Sequence, residues 1–585
     1  MDEGRTFRVA AAQFAVGRDR KANLAACTRM IDTAAERGAI LVVLPEFCNH
    51  LSWYDDRQEA LDAACRPGDD FLGPVAERAA RHGIYVKIHV TLADGRGGSR
   101  RITATSLLYG PDGALLGSAD KQVLMGSEND HLDPATEAGP VLETALGPVG
   151  LYSCMEGVVN EVCRGLALRG AQLLLNSLNS FALDEASLHI PVRAAENRVW
   201  VIAANKVGPL LPADRIGAIS AGMGVPPEAL DGAGESQIVA PDGTVVARAP
   251  RYGEAVVTAD IRPSMAADKQ REDGTDVFAI RRPELYGPIT AAPAPAPAFA
   301  GERAEEVRAA IIRPDGAGGE AVQHAAALTR EAAGQGASLI VLPELFWHPG
   351  GIRPTPDPQS ASRSAAQDEP DAEAVRRTLQ EALSGTTALL ACTLPTPSGH
   401  AGVLLGADGP VLEQRQLHDS ARNRAWARAG RVETLQTHDT PWGRLALVVG
   451  DDSILPETFR LAALRGVDTI AVCHTGVEPW ERGLGLPERA AENRMNLVVA
   501  GHGAGAFHAL PVEFGLWRSR RAPFDGTISI PSTSEAGPGL SLAVIRPREA
   551  GKRLVSRGTD LVDSRPWRLA AALVAPHGPT TPAGS

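Results

Sequence analysis

Two stretches decide how this chain is read. They are GPVGLYSCMEGVVNEVCRGLALRGAQLLL, residues 147–175, and GRLALVVGDDSILPETFRLAALRGVDTIA, residues 443–471. Each sets an apolar, strand-like run before a turn. A helical pattern follows, carrying Glu-x-x-Arg (Glu161 and Arg164, Glu457 and Arg460) and ending in Leu-Arg-Gly. The turn of the first holds Cys154, and the same place in the second is Gly450.

Three further pairs run in the same order. AERGAILVVLPEFCNH from Ala35 matches AGQGASLIVLPELFWH from Ala333, and PVRAAENRVWVIAANKVG from Pro191 matches PERAAENRMNLVVAGHGAG from Pro487. DIRPSMAADKQREDGTDVFAIRRPELYG from Asp260 matches VIRPREAGKRLVSRGTDLVDSRPWRLAA from Val544. So long an offset marks a duplicated domain, since solenoid repeats recur every 20–50 residues or so. The alternating Ala-Pro run in PITAAPAPAPAFAGERA favours an extended spacer. The expected division is therefore residues 5–287, a linker at 288–304, and residues 305–575. A polar, Pro-rich stretch after Pro354, TPDPQSASRSAAQDEPDA, reads as a surface loop inside the second copy.

Composition narrows the class. The 585 residues are 44% hydrophobic and 22% charged, as in a globular protein with ample core. A net charge of −12 with no basic block argues against nucleic acid or an anionic membrane as partner. No run of about 18 apolar residues predicts a membrane span. The start MDEGRTFRVAAAQF lacks the basic and apolar pattern of a secretory signal, and seven scattered cysteines suggest a reducing compartment, so a cytoplasmic location is expected. The ligand spacings of common metal sites and the Walker glycine loop are absent, which predicts no metal and no cofactor.

Within the first copy, strand-like and helical patterns alternate. FRVAAAQF, AILVVLPE, GIYVKIHVTL, VGLYS and AQLLLNS read as strands, and ITATSLLYGPDGALLG as a hairpin turning at Pro-Asp-Gly. NLAACTRMIDTAAERG and NEVCRGLALRG read as helices closed by Gly38 and Gly170, and RAAENR as the opening of another helix. This is an α/β chain with helices layered on sheets.

Three residues fall at strand ends, where α/β folds build their sites: Glu46 after AILVVLP, Lys121 after the hairpin and Cys154 after VGLYS. Singly, each has a bland reading as a solvated charge or a small buried thiol. Together they fit covalent catalysis. A nearby base and cation, with the amino end of the following helix, raise a cysteine's thiolate fraction. Glu46 is suited to take the thiol proton, return it to a departing amine and then activate water. Lys121 and the backbone N–H of Met155 are suited to hold the oxyanion.

With these residues the first copy resembles the nitrilase superfamily of carbon–nitrogen hydrolases along its whole length. The resemblance rests on Leu44-Pro45-Glu46, Lys121, Cys154 with Glu156, Glu161 and Arg164, Arg193-Ala194 with Glu196-Asn197, and Ser236 with Ile238, Pro241, Asp242 and Gly243. It implies two tandem α-β-β-α nitrilase-type sandwiches, a Glu-Lys-Cys triad and a thioester acyl-enzyme. It also implies a second glutamate supporting the lysine, for which Glu128 is the nearest candidate, and pocket positions at Trp53, Asn176 and Asn179. Glu161, Arg164, Arg193, Glu196 and Asn197 read as buried structural pairs.

Cys154-Met155-Glu156 lacks the Cys-Trp-Glu of true nitrilases, so hydrolysis of an amide or N-carbamoyl bond in a small-molecule amide, ureido or nitrile substrate leads. A nitrilase, an amide-forming acyltransferase and a non-catalytic scaffold are the alternatives. The second copy keeps Glu344 but has Leu417 where the lysine is expected and Gly450 where the cysteine is. It reads as catalytically inactive, with Cys473 in its core. The two copies are expected to form an internal pseudo-dimer, with further homo-oligomers open.

Overall fold

The computed structural model describes residues 4–94, 101–348, 371–396, 399–424, 434–515 and 524–576. The Pro-rich stretch expected as a loop after Pro354 lies almost wholly outside them.

The chain forms two compact units, each interleaved along the sequence. The first comprises Met1–Lys269, Glu513–Ser529 and Leu554–Leu573; the second comprises Gln270–Val512, Ile530–Arg553 and Val574–Ser585. They depart from the continuous segments 5–287 and 305–575 at their tails. In the second unit, Arg281 Nε reaches Glu457 Oε1 at 2.8 Å and Arg271 Nη1 reaches Asp451 Oδ1 at 3.0 Å. In the first unit, Thr559 Oγ1 donates to the Leu124 carbonyl at 2.8 Å and Leu561 packs with Val123 and Val159. The later parts of the two matching tail sequences, from Gln270 and from Leu554, have thus been exchanged between repeats.

Each unit is an α-β-β-α sandwich. In the first, one sheet runs Ala255–Ile261, Phe7–Gln13, Leu41–Val43, Tyr85–Asp94, Arg101–Tyr109, Leu115–Asp120. The other runs Val245–Arg248, Gln237–Val239, Trp200–Ala204, Leu173–Ser177, Val149–Ser153, Val141–Leu142. Between them lies an apolar layer that includes Val9, Val43, Leu173 and Ile202, all fully buried. The helices Arg20–Glu36 and Leu72–His82 cover the outer face of the first sheet through Ile31 and Val75. The helices Asn160–Leu168 and Ile190–Asn197 pack on the second. The central strands carry side chains buried on both faces, which is why they read as continuous apolar runs. The second unit repeats both sheets in the same strand order, from Gly539–Ile545 beside Val307–Arg313 to His438–Thr440 beside Gly443–Val449.

Two local readings change. The strand expected in AILVVLPE is only Leu41–Val43, because the chain leaves the sheet at Leu44 to build the site. RAAENR closes a helix rather than opening one. That helix continues from a π turn at Glu185–His189, takes in Pro191 and stops as Arg198 turns left-handed at φ 48°.

Candidate active site

The first unit's two sheets bring Glu46, Lys121 and Cys154 together at strand ends. The turns after Leu41–Val43 and Leu173–Ser177 meet, with the Glu46 N–H donating to the Leu178 carbonyl at 3.2 Å and Ser177 Oγ to the Leu44 carbonyl at 2.5 Å, and Val149–Ser153 runs parallel beside Leu173–Ser177. Glu46 and Lys121 are buried, at 0% and 1% exposure. Lys121 Nζ donates to Glu46 Oε1 at 2.7 Å and to both carboxylate oxygens of Glu128, at 3.0 and 2.9 Å. The ammonium is therefore clamped between two carboxylates. Glu128 is fixed in turn by the Met125 N–H at 2.9 Å. Glu46 Oε2 is buried and has no hydrogen-bond partner among the described residues.

Cys154 sits in a backbone conformation that side chains avoid, φ 46° and ψ −111°. Such strain costs on the order of 1–3 kcal/mol and persists where the surroundings enforce it. Here the Cys154 N–H is shared between the Ser177 carbonyl at 3.0 Å and Asn176 Oδ1 at 3.1 Å, and the Cys154 carbonyl accepts from Gly157 N–H at 2.7 Å. Glu156 joins this turn to the lysine's loop: its oxygens accept from Ser153 N–H at 2.8 Å and Gln122 N–H at 2.7 Å. Arg193 grips the far side through Nε to the Gly157 carbonyl at 2.7 Å. The helix expected after the cysteine is a single turn, Met155–Val158, before Asn160–Leu168 begins. Its dipole is correspondingly small, but the Met155 N–H at its start has no intrahelical acceptor.

The electrostatics differ from the simple sequence expectation. Burial alone drives the Lys121 ammonium towards neutrality, yet Glu128 and Glu46 outweigh it and hold its pKa well above the usual lysine value. Burial pushes the Cys154 thiol well above its ordinary pKa, and the Glu46 charge adds to this while Lys121 opposes it. The resting cysteine is thus a thiol, not the thiolate that its cationic neighbour suggested. Burial also raises Glu128, against Lys121, and pushes Glu156 up to about 7, against its two backbone donors.

Cys154 opens into a cavity of about 150 Å3 whose walls include Trp53, Glu128, Met155 and Asn179. Asn176 is not in that wall; it stands behind the cysteine and anchors its backbone. Asn179 is held by its Nδ2 donating to Ser52 Oγ at 2.7 Å. Residues that sequence reading did not place here are Ile528, Ser529 and Val555, which line the cavity from more than 300 positions away in the chain. No local motif marks them. Lys206 was also missed. It is fully buried, its ammonium has no hydrogen-bond partner among the described residues, and it lies 5.8 Å from the Phe47 ring centre, as does Lys121.

The carbon–nitrogen hydrolase family model matches residues 8–271 and again 314–527. The chain belongs to the carbon–nitrogen hydrolase family. Among curated proteins it is 26% identical over 265 residues to a nitrilase of Pyrococcus abyssi, covering 45% of this chain and 92% of that protein. It is 28% identical over 297 residues to an omega-amidase of Bos taurus, covering 48% and 97%. It is 24% identical over 285 residues to an N-carbamoylputrescine amidase of Arabidopsis thaliana, covering 48% and 93%. Each relative matches about half of this chain. A solved amidase structure from Nesterenkonia sp. AN1 is 22% identical, covers 48% of this chain and 95% of its own, and aligns with a TM-score of 0.38.

The second carbon–nitrogen hydrolase repeat keeps the frame of the site and fills its centre. Asp452 accepts from the Leu417 and His418 N–H groups at 2.8 and 2.9 Å, the bridge that Glu156 makes in the first unit, so Leu417 stands in the place of Lys121. Gly450 keeps the cysteine's positive φ, 51°. A Cβ there would meet Glu344 Oε1 at 2.4 Å. Glu344 has moved into the vacated space and is held by His400 at 3.0 Å, Arg422 at 2.8 Å and Thr475 at 2.5 Å. Burial opposes its charge, but Arg422 and His400 outweigh it and keep it well below the usual carboxylate range. Cys473 is fully buried in the sandwich core.

Proposed function

We propose that the first unit hydrolyses an amide or N-carbamoyl bond through a thioester on Cys154, and that the second unit has no turnover. The observation that carries this is the clamp on Lys121. It holds a charged ammonium beside a cysteine, while Glu46 Oε2 is left without a partner to receive a proton. Because the thiol rests protonated, its proton passes to Glu46 as the sulfur attacks the carbonyl carbon. Lys121 and the Met155 N–H face the negative charge that forms on the carbonyl oxygen. Glu46 then gives its proton to the departing nitrogen, leaving a thioester and a free amine or ammonia. Water attacks the thioester, Glu46 takes one water proton, and the thiol leaves reprotonated with the acid as product. Glu128 is a positioning residue: it touches Lys121, not the reacting atoms.

The test is turnover of a panel of amides and N-carbamoyl compounds by the full chain, with intact mass as the second readout. Wild type is expected to release ammonia or amine and to show a trapped acyl adduct that Cys154→Ala lacks. A Cys154→Ala protein with undiminished turnover overturns the proposal.

A further inference from the structure

Lys206 belongs to the buried groups around Glu46, yet the reaction described above gives it no part. It follows the strand Trp200–Ala204, which pairs with Leu173–Ser177 in the second sheet. Its backbone is fixed on both sides. Asn205 Oδ1 accepts from the Lys206 N–H at 2.9 Å and from the Ser180 N–H at 3.0 Å, and the Lys206 carbonyl accepts from the Gly234 N–H at 3.0 Å. A Cβ on Gly232 would meet that carbonyl oxygen at 2.4 Å, so only glycine lets the chain pass so close. Lys206 Nζ lies 5.8 Å from the centre of the Phe47 ring, and Lys121 Nζ lies at the same distance from it. Phe47 directly follows Glu46 and is held at φ 50°, with its N–H donating to His89 Nδ1 at 3.1 Å. The second ammonium is thus set against the turn that carries the base.

Packing does not call for a charge there. Lys206 is fully buried, and its Nζ has no hydrogen-bond partner among the described residues. Lys87, the other buried lysine behind Glu46, donates to Ser177 Oγ and to the Tyr152 carbonyl. An ammonium without such bonds lowers stability, and an apolar side chain of like volume would remove that cost.

Charge balance gives it a use. Glu46 and Glu128 are two carboxylates in one buried site, with the single ammonium of Lys121 between them. His89 Nε2 is 4.0 Å from Glu46 Oε1, but burial, aided by Lys87, Lys121 and Lys206, keeps that imidazole neutral. Burial brings Lys87 down and Glu156 up, each to about 7, so at neutral pH these two offset each other. Burial lowers Lys206 to about 8, against the pull of Cys48, Glu46, Cys154 and Glu128, so its ammonium persists at pH 7. With Lys206 the signs balance; without it the site carries one negative charge too many, and a thiolate would add another.

We infer that Lys206 is a positioning residue of the reaction, whose ammonium, set on the Phe47 ring with Lys121, offsets the second carboxylate of the site and eases removal of the Cys154 proton. The inference rests on Cys154 being the nucleophile and Glu46 its base. Lys206 is not among the residues that line the cavity, so it acts through these groups and not on the substrate.

The experiment follows alkylation of Cys154 by iodoacetamide, read by intact mass, in the full-length protein and in Lys206→Met, Lys206→Arg and Cys154→Ala. The sulfur displaces iodide from the methylene carbon and the thiol proton goes to solvent, so the rate reads the thiolate and needs no knowledge of the natural amide. Cys154→Ala supplies the background from the buried cysteines. At about pH 7, Lys206→Met is expected to react ~10-fold more slowly than wild type, the scale of one pKa unit for a lost neighbouring charge. That gap is expected to close above about pH 8, where the wild-type ammonium gives up its own proton. Lys206→Arg keeps the charge and is expected to react like wild type at pH 7. A merely structural role predicts instead that Lys206→Met melts below wild type and that its loss is the same at every pH. Equal rates for wild type and Lys206→Met at pH 7, a gap that persists well above pH 8, or an arginine variant as slow as the methionine one overturns the role of Lys206. Turnover of the amide panel by Cys154→Ala decides the nucleophile separately: turnover that survives there overturns the reading on which this inference rests.

Discussion

Restoring a side chain at position 450 is expected to unsettle the second repeat rather than revive it. Gly450→Ala places a Cβ 2.4 Å from Glu344 Oε1 and 2.9 Å from its carboxyl carbon. Glu344 cannot swing aside freely, because His400, Arg422 and Thr475 all hold it. Overpacking of a closed interior costs ~1–3 kcal/mol. A non-glycine residue at positive φ costs ~1–2 kcal/mol more. The sum is about 2–5 kcal/mol, which lowers the melting temperature of a unit this size by about 5–15 °C. The mirror substitution, Cys154→Gly, behaves differently. It releases the strain at φ 46° and gives back part of that gain as glycine's extra chain entropy, ~0.5–1 kcal/mol. Its melting temperature is expected to stay close to wild type although turnover is lost. Scanning calorimetry of the full-length protein with both variants checks the pair. A Gly450→Ala protein that melts within about 1 °C of wild type refutes the packing argument. Turnover from Gly450→Cys in a Cys154→Ala background refutes the account of the second repeat as filled and silent.

Other perturbations follow from the same geometry. Lys121→Met leaves Glu46 and Glu128 as facing buried carboxylates; it is expected to abolish turnover and destabilise the first unit by ~3–5 kcal/mol in urea titration. Glu128→Gln keeps the shape but loosens the ammonium, so kcat is expected to fall ~10-fold or more with KM little changed. Burial pushes Cys154 up, so its alkylation in the absence of substrate is expected to be slow at pH 7 and to accelerate only above the ordinary thiol range, which a pH series by mass spectrometry reads directly. Burial lowers Lys206 from 10.5 to about 8. The unfolded chain then binds the extra proton between those values, so the cost of the buried charge is full below about pH 8 and fades as pH rises to 10.5. Lys206→Met is expected to stabilise the protein by up to ~3 kcal/mol at pH 7, a gain that vanishes near pH 10.5.

The sequence by itself determined the duplication, the α/β layering and the strand ends at which Glu46, Lys121 and Cys154 stand. These were legible because strands buried on both faces leave unbroken apolar runs, and because Glu46, Lys121 and Cys154 each follow such a run or hairpin. It also located Leu417 and Gly450 at the second repeat's counterparts of Lys121 and Cys154, since both are found by counting along a shared frame. What it could not supply was anything fixed by space rather than by order. The thiol's high pKa comes from burial and from the Glu46 charge, neither of which spacing records. Asn176 stands behind Cys154 rather than in the cavity because the register of two parallel strands puts its Oδ1 on the cysteine's N–H. The strongest case is the tails. The segments that start near Asp260 and Val544 resemble each other, so either fits the frame of either repeat, and likeness cannot say which repeat a tail packs on. Only the folded chain decides that. It sends residues 270–287 to Asp451 and Glu457 and residues 554–573 to Leu124 and Gly126, where one of them walls the site that holds Cys154.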